Sequence, residues 1–403
     1  MTLGIYISVP FCRSKCSYCN FASGVFARDK MQRYVERVIE DIRFARQRAR
    51  LLGCDLPETV DTIYLGGGTP STLEPDQILD LFSTIRAFFR VTPDAELTVE
   101  CAPGTLPPPI IEALVTSGVN RVSLGVQSFV DAEARAVGRL HDRAATLADI
   151  ASLRAAGITN LNVDLIAGLP HQSKDSWDES LSAAIETGAP HVSVYMLEVD
   201  EDSRLGRELI AGGQRYHAHH VPDESLIVDL YERARQRLME SGIQQYEISN
   251  FARPGFESRH NLKYWTRQPY LGAGLDAHSM LVRGADDDRG RLAAVRFSSG
   301  EDLDGYLAGE SGPPPIFLTI RAALEEEFFL GLRCNRGVDL RRIKDVYGSA
   351  LPGETKDVIV ELVGNGLLRA ESGYVRLSDR GRLISNEVFG RLLEQGEKSA
   401  SKG

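Results

Sequence analysis

The sequence predicts an α/β protein: an incomplete (β/α)6 barrel over residues 1–240, with a smaller α+β domain at the C-terminal end. Two observations predict the barrel. Apolar, β-rich runs alternate with stretches of helical periodicity as far as about residue 240, the pattern of parallel strands joined by crossover helices. The residues least typical of a core, a dense group of cysteines among them, fall directly after those runs, and the sites of such barrels gather at the carboxyl ends of the strands. A third observation sets a boundary: "GPPP" from Gly312 interrupts the chain, and the pattern beyond it is mainly helical.

The six strand runs are "GIYIS" from Gly4, "TIYL" from Thr62, "ELTVE" from Glu96, "RVSLGV" from Arg121, "NLNVDLI" from Asn160 and "HVSVYML" from His191. Between the first two, Met31, Tyr34, Val35, Val38, Ile42 and Ala45 recur at helical spacing, so this arginine-rich segment is an amphipathic helix with a solvated face. Helices also fit Asp76–Phe89, Pro108–Ser117, Arg143–Ala156, Lys174–Thr187 and Asp223–Ser241, each closed by a glycine or a turn. Residues 241–311 read as a connecting segment. Residues 312–395 form the C-terminal domain, whose order of helix, "GLLRA" and "YVRLSDRGRLISNEVF" resembles a winged helix. The polar residues 396–403 are expected to be disordered.

Composition excludes several classes. A chain of 403 residues, 43% hydrophobic and 25% charged, has enough apolar material for a large core. A net charge of -10 argues against broad binding to nucleic acid or anionic membranes, and the C-terminal domain has no concentrated basic helix. No apolar run approaches the ~18 residues of a membrane span, and "MTLGIYISVP" lacks the pattern of a secretory leader. The expected location is the cytoplasm.

In that reducing setting Cys54, Cys101 and Cys334 read as small buried hydrophobes. Cys12, Cys16 and Cys19 in "PFCRSKCSYCNF" are too closely spaced for that, and Arg13 and Lys15 beside them are expected to lower thiolate pKa values. Structural zinc normally takes four protein ligands, yet the next cysteine is Cys54 and the first histidine is His141. Three thiolates suit a four-iron cluster with one iron open to an outside ligand. The other strands end on "GGGTP", Glu100, Gln127, Asp164 and Tyr195, so all six converge on one mouth. "GGGTP" matches neither a Walker A loop nor a dinucleotide fingerprint; its bare backbone allows close approach by a ligand.

"CRSKCSYC", "GGGTP", "GVQSF", "GRLHD" and "DLIAGLP" together resemble the radical S-adenosylmethionine superfamily over the first 200 residues. The resemblance implies a TIM-like partial barrel and a 4Fe-4S cluster on Cys12, Cys16 and Cys19. It also implies S-adenosylmethionine on the open iron. Gly67 and Gly68 would lie near the methionine part, with Thr69 in the same loop, and Tyr6, Glu100, Gln127, Arg139 and Asp164 would contact the rest. Arg139 suits a carboxylate and Asp164 suits hydroxyls. Two positions depart from the family pattern: Ser8 stands where a histidine is usual, and Ala167 where a tyrosine is usual in the fifth strand.

Within the superfamily the chain is similar to the group that holds oxygen-independent coproporphyrinogen III dehydrogenases and HemW-type heme chaperones. Phe21 stands where the dehydrogenases carry a further cysteine, and Cys12 lies close to the start. "HNLKYW" from His260 matches the H-N-x-x-Y-W signature associated with heme binding. By that resemblance His260 ligates heme iron, and Tyr264 and Trp265 offer it flat apolar surface. His278 in "GAGLDAHS" is a second candidate ligand or a structural residue. "YHAHH" from Tyr216 is assigned no site. The implied function is a carrier that delivers heme to apo-hemoproteins. The alternative is an enzyme that oxidatively decarboxylates porphyrinogen propionates.

Overall fold

A computed structural model describes residues 1–283, 292–348 and 353–400, with the side chains of Leu292 and of residues 394–400 left aside. Six parallel strands lie side by side in sequence order: β1 (Leu3–Val9), β2 (Thr59–Gly67), β3 (Arg90–Cys101), β4 (Arg121–Gln127), β5 (Asn160–Ala167) and β6 (His191–Met196). Their crossover helices Arg28–Leu51, Pro75–Phe88, Pro108–Thr116, Arg143–Ala155 and Lys174–Glu186, with Glu224–Glu240 after β6, fall where the periodicity predicts them.

Side chains alternate across a strand, and here the alternation separates two environments. Ile5, Ile7, Ile63, Leu65, Leu97, Val99, Val122, Leu124, Leu161, Val163, Val192 and Val194 turn outward and bury themselves against the helices. Each fully buried aliphatic side chain of this kind contributes about 1.5–3 kcal/mol. The intervening residues Tyr64, Glu100, Ser123, Asn162, Asp164 and Ser193 line the concave face. The main core therefore sits between sheet and helices, and the inside of the barrel is polar.

Residues 241–311 do more than connect. They add β7 (Gln244–Gln245) and β8 (Asn250–Ala252) beyond β6, and β9 (Tyr270–Ala273), β10 (His278–Val282) and β11 (Leu292–Ser298) beyond β1; β12 (Ile316–Thr319) follows. The result is a twelve-stranded sheet in the order β12-β11-β10-β9-β1-β2-β3-β4-β5-β6-β8-β7. β9 runs parallel to β1, with Gly4 opposite Tyr270 and Ile7 opposite Ala273, and the strands beyond it are antiparallel.

The smaller domain has its own three-stranded sheet, β13 (Val338–Asp339), β14 (Leu368–Glu371) and β15 (Tyr374–Leu377), in the order β13-β15-β14. Ser372 and Gly373 join β14 to β15 with φ of 54° and 86°, the double left-handed turn that matches hairpin twist. Phe328, Leu332, Val358, Leu362, Val375 and Phe389 form its core, and Ile248 of the larger unit is built into it. The last helix runs Ser385–Ala400, so the chain is helical through 396–400 where polar composition predicted disorder; Val388, Phe389 and Leu392 anchor its start. Residues 401–403 lie outside the described ones. Among the described residues no helix is long and apolar enough to cross a membrane.

Candidate functional site

The cysteine loop leaves β1 and is pinned at its base, with Cys12 N–H donating to Gly24 O (2.8 Å) and Gly24 N–H to Pro10 O (2.9 Å). All three thiols are free and line one cavity of about 580 Å³ at the carboxyl ends of the strands. Thr69 Oγ1 lies 3.7 Å from Cys12 Sγ, Arg139 Nη1 lies 3.4 Å from Cys16 Sγ, and Ser23 Oγ lies 3.9 Å from Cys19 Sγ. The expectation for Arg13 and Lys15 is corrected: they donate to the carbonyls of Gly104 and Phe21. The cation that reaches a thiol is Arg139, and burial pushes the Cys12 thiol up.

The glycines of "GGGTP" serve chain crossing as well as access. Gly68 N–H donates to Val9 O and Thr69 N–H to Phe11 O, both at 2.8 Å. A Cβ on Gly68 would stand 2.8 Å from Phe11 O and 2.9 Å from Pro10 C, both backbone atoms that cannot yield. Gly67 has φ of 104°, the region open to glycine. The loop thus lies directly on the base of the cysteine loop, and both face the cavity.

Glu100, Gln127, Arg139 and Asp164 line that same cavity. Burial pushes the Glu100 carboxyl up to about 7, against hydrogen bonds from Tyr64 OH (2.7 Å) and Gly67 N–H (3.2 Å). Asp164 is raised by burial too, while Ser123 Oγ (2.9 Å) and Asn162 Nδ2 (2.7 Å) donate to it. Gln127 sits at φ of 67° where the β4–β5 register slips between Gly125 and Gln127, a bulge that ends the strand at the cavity. Arg139 donates to Gly125 O as well as towards Cys16. Tyr6 faces a neighbouring pocket instead.

A further polar layer lies beneath the strand ends, at positions the sequence motifs do not single out. Arg121, Ser123, Asn162, Ser193, Asn250 and Asn261 also line the cavity. The signal was present, since polar residues at every second position of "RVSLGV" and "NLNVDLI" mark a wet strand face. Arg121 is 2% exposed, and its Nε has no hydrogen-bond partner among the described residues. Deeper still, Asn162 Oδ1 lies 2.6 Å from His191 Nδ1, and His191 Nε2 lies 3.0 Å from Tyr246 OH.

"HNLKYW" is the helix Arg259–Trp265, which closes the opposite end of the barrel from the cysteines. Glu96 accepts from the backbone N–H groups of Arg259 and His260, and buried Lys263 pairs with Asp61 at 2.7 Å. His260 is 1% exposed; Thr62 Oγ1 lies 2.9 Å from its Nδ1 and Tyr264 OH 2.8 Å from its Nε2. Both ring nitrogens are thus engaged, and the ring stacks on Tyr64. Trp265 points to the small domain, where Arg333 covers its ring at 4.8 Å. The motif residues therefore do not converge on one open surface. Tyr264 instead joins Tyr6, Phe21, Tyr270, Asp276 and His278 around a second pocket of about 250 Å³ that shares Gly67 and Gly68 with the first.

The mouth of the partial parallel barrel thus holds three free thiols and a buried polar shell. Residues 6–184 match the sequence profile of the Radical SAM superfamily, and residues 318–384 that of the HemN C-terminal domain. The chain is 33% identical over 394 residues to the heme chaperone HemW of Bacillus subtilis, covering 96% of this chain and 98% of that one. It is 31% identical to heme chaperone HemW of Escherichia coli, covering 98% of each. It is 30% identical to the mouse mitochondrial radical S-adenosyl methionine domain-containing protein 1, covering 97% of this chain and 87% of the relative. The chain belongs to the HemW family within the radical SAM superfamily. The fold is that of Escherichia coli coproporphyrinogen III oxidase (HemN), with a TM-score of 0.80, 24% identity and coverage of 97% and 90%.

Membership implies a 4Fe-4S cluster and S-adenosylmethionine. The residues fit both groups: three unpaired thiols would supply three cluster positions, and the polar cavity beside them holds a buried guanidinium nitrogen with no hydrogen-bond partner among the described residues and two carboxyls.

Proposed function

We propose that the chain is a heme carrier that delivers heme to apo-hemoproteins in the cytoplasm. It holds a 4Fe-4S cluster on Cys12, Cys16 and Cys19, and S-adenosylmethionine against Gly67, Gly68, Thr69, Glu100, Gln127, Arg139 and Asp164. The observation that carries this reading is near full-length similarity to HemW proteins, joined to an aromatic pocket that shares a wall with the cysteine cavity. When bound, cluster and S-adenosylmethionine supply one-electron cleavage of a carbon–sulfur bond. The chain's own residues would orient the cofactor: Arg139 would face its carboxylate and Asp164 would accept from its hydroxyls, while Glu100 keeps Gly67 in place.

For heme, His278 fits the ligand role better than His260. Its side chain is 68% exposed beside the aromatic pocket, with Asp276 at 3.5 Å, whereas both nitrogens of His260 are engaged. Tyr6, Phe21, Tyr264 and Tyr270 supply the apolar face.

The test is an anaerobic heme titration of cluster-reconstituted protein and its His278→Ala and His260→Ala variants, read in the Soret band. The expected result is saturable binding near one heme per chain, spectrally altered and weakened at least tenfold in His278→Ala. Loss in His260→Ala alone would return the ligand role to the motif histidine. Absence of specific binding in all three would overturn the carrier reading. Anaerobic conversion of coproporphyrinogen propionates to vinyl groups would establish the enzyme in its place.

A further inference from the structure

Among the described residues a trio of histidines has its ligating nitrogens within 4.8 Å of one another: His171, His217 and His220. The trio lies outside both pockets described above. His171 stands in the exit turn of β5, and His217 precedes and His220 ends a short 3-10 turn at Ala218–His220. Two segments 46 residues apart are thereby brought imidazole to imidazole.

The backbone presents these rings without help from the rings themselves. His171 N–H donates to His220 O (3.0 Å), and His220 N–H to His217 O (2.9 Å). Glu208 accepts from the N–H groups of Arg215, Tyr216 and Ala218, which fixes the loop that carries His217. Gln172 Oε1 accepts from Gly168 N–H and fixes the other segment. Both His171 and His217 adopt positive φ, 68° and 60°, uncommon for residues other than glycine.

His171 Nε2 and His217 Nδ1 are 3.3 Å apart. Two imidazoles on a tetrahedral ion, each about 2.0–2.1 Å from the metal, have nitrogens about 3.3 Å apart. The ring of His220 lies 4.0 Å from that of His171 between centres, and exposed rings can turn to complete the set. Imidazole ligands without carboxylates select zinc-type ions over magnesium or calcium.

We propose that His171, His217 and His220 bind one divalent cation of the zinc class, with solvent in the fourth position. The ion clamps the exit of β5 to the 200–221 excursion, which itself forms part of the wall of the cysteine loop. Leu205 N–H donates to Ser17 O (2.8 Å), Arg204 Nη1 to Lys15 O (3.2 Å), and Asn20 Nδ2 to Asp200 Oδ2 (2.8 Å). Leu169, Leu197, Leu205 and Ala218 share an apolar cluster with Tyr18 of the cysteine loop.

The test is an anaerobic Co²⁺ titration of the full chain with its cluster reconstituted, so that the cysteines are occupied. The expected result is one Co²⁺ per chain, with tetrahedral visible bands and no thiolate charge-transfer band, displaced by Zn²⁺. His217→Ala and His171→Ala weaken binding at least tenfold, and His219→Ala leaves it unchanged. Melting curves with and without Zn²⁺ provide a second reading: a zinc-dependent rise in Tm in the parent and His219→Ala proteins, absent in His217→Ala. Equal affinity in His217→Ala and the parent, a thiolate band, or binding weaker than millimolar would each overturn the proposal.

Discussion

At the mouth of the barrel three thiols face a cavity, and their polar neighbours are hydroxyls at 3.7 Å from Cys12 and 3.9 Å from Cys19 and the Arg139 guanidinium at 3.4 Å from Cys16. At the floor the imidazole of His260 has a partner on each nitrogen and an aromatic ring against its face. Both sets of residues come from compact motifs with ligand-type side chains. The difference teaches that a motif supplies chemical type, whereas spare bonding capacity has to be found by following every partner of every atom.

The largest effect is expected at the mouth. Replacing Cys12, Cys16 and Cys19 together by alanine is expected to abolish iron and sulfide loading after anaerobic reconstitution, while the melting temperature of the cluster-free protein stays nearly unchanged. Full loading of that variant would remove the cluster assignment. Gly68→Ala tests the support of the mouth: a Cβ pressed against backbone is expected to cost about 2–4 kcal/mol in chemical denaturation, with reduced cluster loading.

At the floor, His260→Ala leaves Thr62 and Tyr264 without partners inside the fold. The expected loss is about 2–3 kcal/mol of stability, with less than tenfold change in heme affinity. A large loss of heme binding at unchanged stability would make floor and mouth alike. The smallest effect concerns Glu100. Its carboxyl is raised in the folded state to about 7, so the folded chain holds more protons than the unfolded one between the ordinary carboxylate range and neutrality. Its contribution is therefore present at low pH and lost as pH rises to about 7. Glu100→Gln should flatten that part of the stability curve by roughly 1–3 kcal/mol in cofactor-free protein, measured by denaturant midpoints against pH.

Much of the barrel was legible in the sequence because its signals are local. Six strands and their helices follow from alternation of period 2 and 3.6, and the sequential order of β1 to β6 follows from crossover geometry. The added strands are another matter. β9 is four residues long, and "GAGLDAHS" from Gly272 reads as a glycine-rich turn although its first two residues belong to β9; the pairing of Tyr270 with Gly4 is set by contacts no local pattern encodes. The site was legible by type at Cys12, Cys16, Cys19, Glu100, Gln127, Arg139 and Asp164, which one cavity gathers. Tyr6 lies on the far side of the Gly67–Gly68 wall, and the state of His260 depended on Thr62, a partner 198 residues away.

The helix that carries His260 also ties the two halves of the chain together. Arg267, just past its end, is buried and donates to Glu326 at 2.8 Å and to Tyr347 OH at 2.9 Å. Trp265 lies under Arg333, and Asn335 N–H donates to Tyr246 O at 2.9 Å. The proline-rich break at Gly312 is consequently no place to cut. A truncated barrel would expose an indole and strand a buried guanidinium, and a domain swapped in from a distant relative would have to bring its own matching surface for this helix. The small domain and the barrel floor therefore behave mechanically as a single part.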